Sequence, residues 1–262
     1  MITIADPTPV GDLREWRRLR NLSQLELALR AGTSARHLSF LETGRAQPSR
    51  EMVLNLAQQL GVPLRVRNDL LLAAGFAPVY RETGLGEPAL AAARSAFDRL
   101  LVAHEPYPAI VVDFQRNIIS SNRGLVVFTE GAAPELLEPP INSLRLALHP
   151  RGMAPRVVNF GGFSYHVMEG LASRIATTGD ERLRQLQREL TSYPGVVLEQ
   201  PIAPDPMEAV AVPILLRFRG HELHFYNTFT TFAMPRDITL TEIALEAFYP
   251  VNPETAEVLN SL

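Results

Sequence analysis

The chain has 262 residues, with 25 basic and 28 acidic side chains, a formal net charge of −3, 46% hydrophobic residues and no cysteine. That length accommodates two domains or one large one, and the apolar fraction supplies sizeable cores. The absence of cysteine excludes disulfides, thiolate zinc sites and cysteine catalysis; the small negative net charge argues against a general nucleic-acid coat.

No apolar run approaches the ~20 residues needed to cross a bilayer, and the first residues lack the basic start and apolar core of a signal peptide. The expectation is a cytoplasmic protein with no membrane partner. Charge is unevenly spread: ten arginines stand against seven acids before residue 76, and fifteen against twenty-one after it. Any nucleic-acid surface therefore belongs near the N-terminus.

Met1–Val10 reads as an irregular arm. Asp12 caps a helix running to Asn21, with Leu13, Trp16 and Leu19 inward and Arg14, Arg17 and Arg18 outward. Ser23 followed by Glu26 forms a capping box for a second helix, on which Leu25, Ala28 and Leu29 share a face. Gly32 supplies a tight turn and Thr33 caps a third helix, whose Ala35, Leu38 and Leu41 share a face. Gly44 closes that helix as its C′ residue. Ser49 caps a fourth helix with the apolar stripe Met52, Val53, Leu56, Ala57 and Leu60. After Gly61-Val62-Pro63, a fifth helix over about Leu64–Ala74 carries Leu70, Leu71 and Leu72. Residues 1–75 are thus expected to be a five-helix all-α domain.

The pattern Ser23-Gln24…Gly32…Leu41-Glu42…Gly44-Arg45…Pro48 makes residues 11–75 resemble the XRE helix-turn-helix family, the phage repressor-like (lambda-repressor-like) fold. The resemblance implies a second motif helix lying in the major groove of double-stranded DNA. Gln24, with the free N–H groups at its helix start, would hold a phosphate. Ser34, Ala35, Arg36, His37, Ser39 and Phe40 would face base edges or the flanking backbone, and Arg36 has the fork that matches guanine O6 and N7. Arg45 would touch phosphate. Phe40 departs from the polar residue often found there in phage repressors, and either meets a thymine methyl or packs inward.

Residues 76–87 carry prolines and glycines at no fixed period and read as a linker. Residues 88–262 form the second domain. A helix over Pro88–Leu101 turns Leu90, Ala93, Phe97 and Leu100 inward. Ala109–Asp113 and Asn117–Ser120 pair as short strands. Asn122–Glu130 is helical and Pro134–Asn142 a loop. Phe163–Thr177 and Asp180–Leu190 are amphipathic helices split by Gly179. Glu208–Phe218 and His221–Phe232 make a hairpin turning at Arg219-Gly220. Thr241–Phe248 and Pro253–Leu259 are closing helices, the latter capped by Asn252. The whole is an α+β domain, an antiparallel sheet with helices packed on it.

Three stretches carry a second resemblance: Asn142-x-x-Arg145-Leu146-x-x-His149-Pro150, Gly220-x-Glu222-Leu223-x-Phe225-Tyr226, and the run from Asp237 through Glu242, Glu246 and Phe248-Tyr249-Pro250. With them, residues 88–260 resemble the ligand-binding domain of MmyB-like transcription regulators. That family implies a PAS-like sensor and a regulator whose DNA affinity responds to a small molecule.

Phe225, Phe229 and Phe232, with Ile110, Val112, Leu216 and Phe218, could line a cavity for a fatty-acid-like apolar effector; a sealed core is the other reading of the same residues. Asn122, Arg145, His149, Arg156 and Asn159 are the candidate head-group anchors, arginine offering two parallel donors to a carboxylate. His221 and His224 are three apart on a strand and point to opposite faces, so they cannot share an ion. No zinc-protease, nucleophile-elbow, Walker or dinucleotide motif is present, so neither catalysis, a cofactor nor a metal is expected. A homodimer is expected, because paired half-sites give affinity that one small module rarely reaches. The alternative is a DNA-binding protein whose second domain is only a structural dimerisation module.

Overall fold

The computed structural model describes residues 11–199 and 212–262. The expected Met1–Val10 arm, the side chain of Asp12 and positions 208–211 of the expected hairpin lie outside that description. The chain forms two compact units, with the main division between Glu82 and Thr83.

The first unit holds helices α1 (Gly11–Leu19), α2 (Gln24–Arg30), α3 (Ala35–Glu42), α4 (Arg50–Gln59) and α5 (Leu64–Ala73). Ser23 and Glu26 close the capping box on α2, and Ser49 caps α4. The cap of α3 is Ser34 rather than Thr33. Its hydroxyl accepts from His37 N at 3.1 Å, the third residue of the helix, which is the reach an N-cap side chain has. Gly32 and Gly44 have φ of 66° and 69°, a region in which a side chain would strain the turn.

The core gathers Leu13, Trp16, Leu27, Ala28, Leu38, Leu41, Leu56, Leu60, Leu70 and Leu71. Burying each leucine contributes about 1.5–3 kcal/mol. Leu19, Leu25 and Leu29, expected inward or on the apolar face, are 43%, 59% and 71% exposed. At about 100° per residue, Leu25 and Leu29 lie roughly 160° around α2 from Leu27, and Leu27 is the side chain that meets the core. Arg17, expected outward, is buried.

The second unit opens with a 3-10 turn at Pro88–Leu90 and α6 (Ala91–Ala103), followed by β1 (Ala109–Val112) and β2 (Ile118–Ser121). The inward residues are Leu90 of the 3-10 turn and Phe97 and Leu101 of α6, with Leu100 exposed. Then come α7 (Val126–Thr129), α8 (Ser143–Leu148), α9 (Phe160–Thr178) and α10 (Glu181–Thr191). Gly179, with φ of 66°, separates the last two. A hairpin of β3 (Ile214–Phe218) and β4 (His221–Thr230) turns at Arg219-Gly220, before α11 (Ile238–Thr241), β5 (Ala244–Pro250) and α12 (Pro253–Asn260). Asn252 caps α12.

The expected helix over Thr241–Phe248 is therefore mostly strand. β5 is the central member of a five-stranded sheet of order β2-β1-β5-β4-β3, and every pairing is antiparallel. Its first five residues are all buried, because a central strand covered on both faces reads as a continuous apolar run. Tertiary pairing overrides the helix-like Glu242…Glu246 spacing. Alternation sorts the sheet into two faces. Ile110, Val112, Ala244, Phe248, Leu223 and Phe225 face α7 to α10 in the larger core. Ala109, Val111, Leu245 and Ala247 face Phe97 and Leu101 of α6 in a smaller one.

Candidate functional site

In the first unit, the turn at Gly32 and the Ser34 cap present α3. Leu38, Leu41 and Glu42 are its buried side, while Arg36 and, past the helix end, Arg45 are exposed. The Arg36 guanidinium lies 5.5 Å from the centroid of the Phe40 ring, one turn along the same face. Phe40 thus stacks beneath Arg36 and narrows its orientations. Ala35, His37 and Ser39 are partly exposed. Ser34 is engaged as the cap. Gln24, expected at a phosphate, donates from Nε2 to Glu42 Oε2 at 2.8 Å, which leaves the N–H groups at the start of α2 as the donors there.

Glu42 is buried, and its carboxylate also takes Arg17 Nε at 2.6 Å and Nη2 at 2.9 Å. Burial pushes the Glu42 pKa up, but the Arg17 and Gln24 hydrogen bonds outweigh it and hold the carboxyl below the ordinary glutamate value. The same pairing raises the pKa of Arg17.

In the second unit, a cavity of about 320 Å³ lies between the sheet and helices α8 and α9. Its walls are Ile110, Ile214, Phe229 and Phe248 from the sheet, Leu144, Leu146 and Ala147 from α8, and Phe163, Val167 and Leu171 from α9. The polar groups on its surface are Arg116, Ser143, His166, Arg174, Asn227 and Glu246. Arg116, in the β1–β2 turn with φ of 70°, is 8% exposed and donates from Nη2 to Glu246 Oε2 at 2.5 Å. Asn227 Nδ2 donates to the other oxygen, Oε1, at 2.7 Å. The Arg116 guanidinium also lies 4.9 Å from the Phe229 ring centroid. Arg116 Nε and Ser143 Oγ are buried with no hydrogen-bond partner among the described residues. An apolar chamber with a few convergent polar groups is the usual form of a small-molecule site.

Residues 93–262 match the family model of the MmyB-like transcription regulator ligand binding domain. The chain belongs to the MmyB-like transcription regulators. Residues 13–66 match the helix-turn-helix family model, so this MmyB-like regulator carries a DNA-binding module ahead of its ligand-binding domain. A search of the curated proteins finds no match. Two solved structures show limited likeness. The clp gene regulator ClgR from Corynebacterium glutamicum is 28% identical, with 38% of this chain and 92% of that one covered and a TM-score of 0.23. An RNA-binding Light-Oxygen-Voltage receptor is 15% identical, with 97% of this chain and 64% of that one covered and a TM-score of 0.24.

None of the five head-group anchors expected from the sequence lines the cavity of this MmyB-like regulator; each makes contacts with the framework. Asn122 Oδ1 accepts from Ala109 N, and its Nδ2 donates to Leu101 O and Tyr107 O. Arg145 forks onto Glu189 of α10 with two contacts of 2.7 Å, and His149 packs edge-on against Tyr193. Burial, then its bond to Glu189, raises the Tyr193 pKa. Arg156 donates to the carbonyls of Val127 and Phe128, and burial lowers its pKa. Asn159 holds β3 through Pro213 O and Leu215 N.

Of the aromatics, Phe229 lines the cavity, whereas Phe225 is fully buried in the core and Phe232 packs on Phe97 on the opposite face of the sheet. Sequence reasoning missed Arg116, Ser143, Arg174, Asn227 and Glu246. The one available signal was Glu246, a carboxylate inside the apolar run Ile243-Ala244-Leu245-Glu246-Ala247-Phe248: a charge in a buried strand needs a partner.

Proposed function

We propose that this protein is a sequence-specific DNA-binding regulator that reads an operator with α3 and senses a small apolar molecule, fatty-acid-like in its body, in the cavity of its second unit. The observation that carries this reading is the pairing, in one chain, of a helix-turn-helix unit that turns Arg36 outward with a unit enclosing an apolar-walled cavity of about 320 Å³. The matches to a helix-turn-helix model and to a regulator's ligand-binding domain support the same division of labour.

Arg36 takes guanine through its fork. Arg45 and the N–H groups at the start of α2 take phosphates and set register. Ser34, Ala35, His37, Ser39 and Phe40 complete the surface that meets the groove. Two copies of the chain bind half-sites about 34 Å apart, one helical turn of DNA. Effector occupancy changes operator affinity by a coupling of about 1–3 kcal/mol.

The test is selection of genomic fragments by the full chain, followed by operator titration before and after delipidation. The expected result is a two-fold symmetric site whose affinity changes roughly fivefold or more on delipidation, the lower end of that coupling. Absence of any enriched site refutes the DNA reading. An enriched site whose affinity ignores every apolar compound bound would leave the second unit as a structural dimerisation module.

A further inference from the structure

We infer that Phe40 sets part of the operator specificity, its ring reading the 5-methyl group of a thymine close to the guanine that Arg36 takes. This rests on the reading of α3 as the DNA-reading helix and adds to it a base recognised without any hydrogen bond.

Leu38 is fully buried and marks the inner side of α3. Arg36 and Phe40 stand two positions to either side of it, about 200° around the helix, and so share the outer line. The core beneath α3 takes in Leu38 and Leu41 and, among the described residues, leaves Phe40 out. Phe40 is half-buried, and the Arg36 guanidinium, 5.5 Å from its ring centroid, covers one face. The outer line continues to Thr43, whose hydroxyl is spent on Ser39 O at 2.7 Å. The centre of that line is therefore an apolar ring turned away from the core, an arrangement that water does not reward.

A phenyl edge gains nothing from the donors and acceptors on the floor of the major groove. The apolar group there is the thymine 5-methyl, which an aromatic side chain can cover. Along α3, Phe40 lies about 6 Å beyond Arg36, four residues at ~1.5 Å each. Base pairs are about 3.4 Å apart, so the methyl belongs to a pair within about two of the guanine. Arg36, held over the ring, keeps its fork for guanine O6 and N7. The two side chains thus read different features of one short stretch, a pair of acceptors and a methyl group.

The experiment selects amplified fragments of the source genome with the full chain. The enriched duplexes are then remade with deoxyuridine in place of thymidine, which removes only the 5-methyl groups. Amplified fragments carry no methylcytosine, so any methyl read is thymine's. The unaltered chain should bind roughly fourfold more weakly when one half-site lacks its methyl, the worth of one buried methyl group. Single deoxyuridine replacements should place that loss within about two base pairs of the guanine whose identity Arg36→Ala relaxes. Phe40→Ala, weaker on both duplexes, should bind the thymidine and deoxyuridine forms alike. Equal binding of the two forms by the unaltered chain overturns the inference while sparing the DNA reading, and so does a Phe40→Ala chain that keeps the full difference. Absence of any enriched fragment sinks the DNA reading itself.

Discussion

The Arg17 guanidinium lies fork-on-fork against the Glu42 carboxylate across 25 residues of sequence, with contacts of 2.6 and 2.9 Å and both side chains buried. The pair ties α1 to the end of the helix that would read DNA, and Arg17 Nη1 also donates to Leu22 O. Geometry of this kind satisfies most of the donors and acceptors that burial would otherwise strand.

Glu42→Ala leaves the Arg17 charge buried without its partner and should destabilise the first unit by about 3–5 kcal/mol. Because folding lowers the Glu42 pKa, its contribution is present in full above the ordinary glutamate value. It is lost as pH falls through the lower, folded value. Chemical denaturation of wild type and variant across the acid range should show the gap closing as pH drops; a gap that stays constant would mean that the charge is not what matters.

Arg36→Ala should lower specific operator affinity by roughly 1–3 kcal/mol and relax one base position. Since Arg36 rests on the Phe40 ring, Phe40→Ala should weaken binding as well. The two changes should be non-additive by about 0.5–1 kcal/mol in a double-mutant cycle. Equal loss on every DNA sequence would make Arg36 a phosphate contact instead.

Ala147 sits on α8 against the cavity and is 8% exposed. Ala147→Phe projects a ring into that space, so Nile red binding should fall sharply while operator binding by the ligand-free chain persists. Unchanged dye binding would place the apolar ligand somewhere other than this cavity.

Gly152 follows α8 closely enough that a Cβ would run into the Leu146 carbonyl oxygen, which already accepts from Met153 N at 2.8 Å. The obstacle is backbone and cannot swing aside. Gly152→Ala should cost about 1–3 kcal/mol of stability, read as a lower thermal midpoint of the second unit. A neutral result would show that the loop has room to shift.

Much of the helix-turn-helix unit was legible in residue order, because its signals are local. A capping box, positive-φ glycines and apolar stripes act within four residues of one another. Arg17 was misplaced because nothing local shows that Glu42 would arrive beside it. Leu25 and Leu29 were misread because periodicity defines a face without saying what that face meets.

The second unit was harder for the same reason carried further. Asn142, Arg145 and His149 stood out as polar residues at conspicuous spacing. They cap α8 and bind it to α10, and such framework work has the same appearance in sequence as ligand binding. By itself the sequence determined most of the local elements, the order of the two domains and the apolar supply for a core. Only the tertiary structure decided that residues 244–250 form the middle strand of the sheet, where Glu246 pairs with an arginine 130 positions away. That choice follows from burial on both faces and hydrogen bonding to β1 and β4, energies that exist only once distant strands have met.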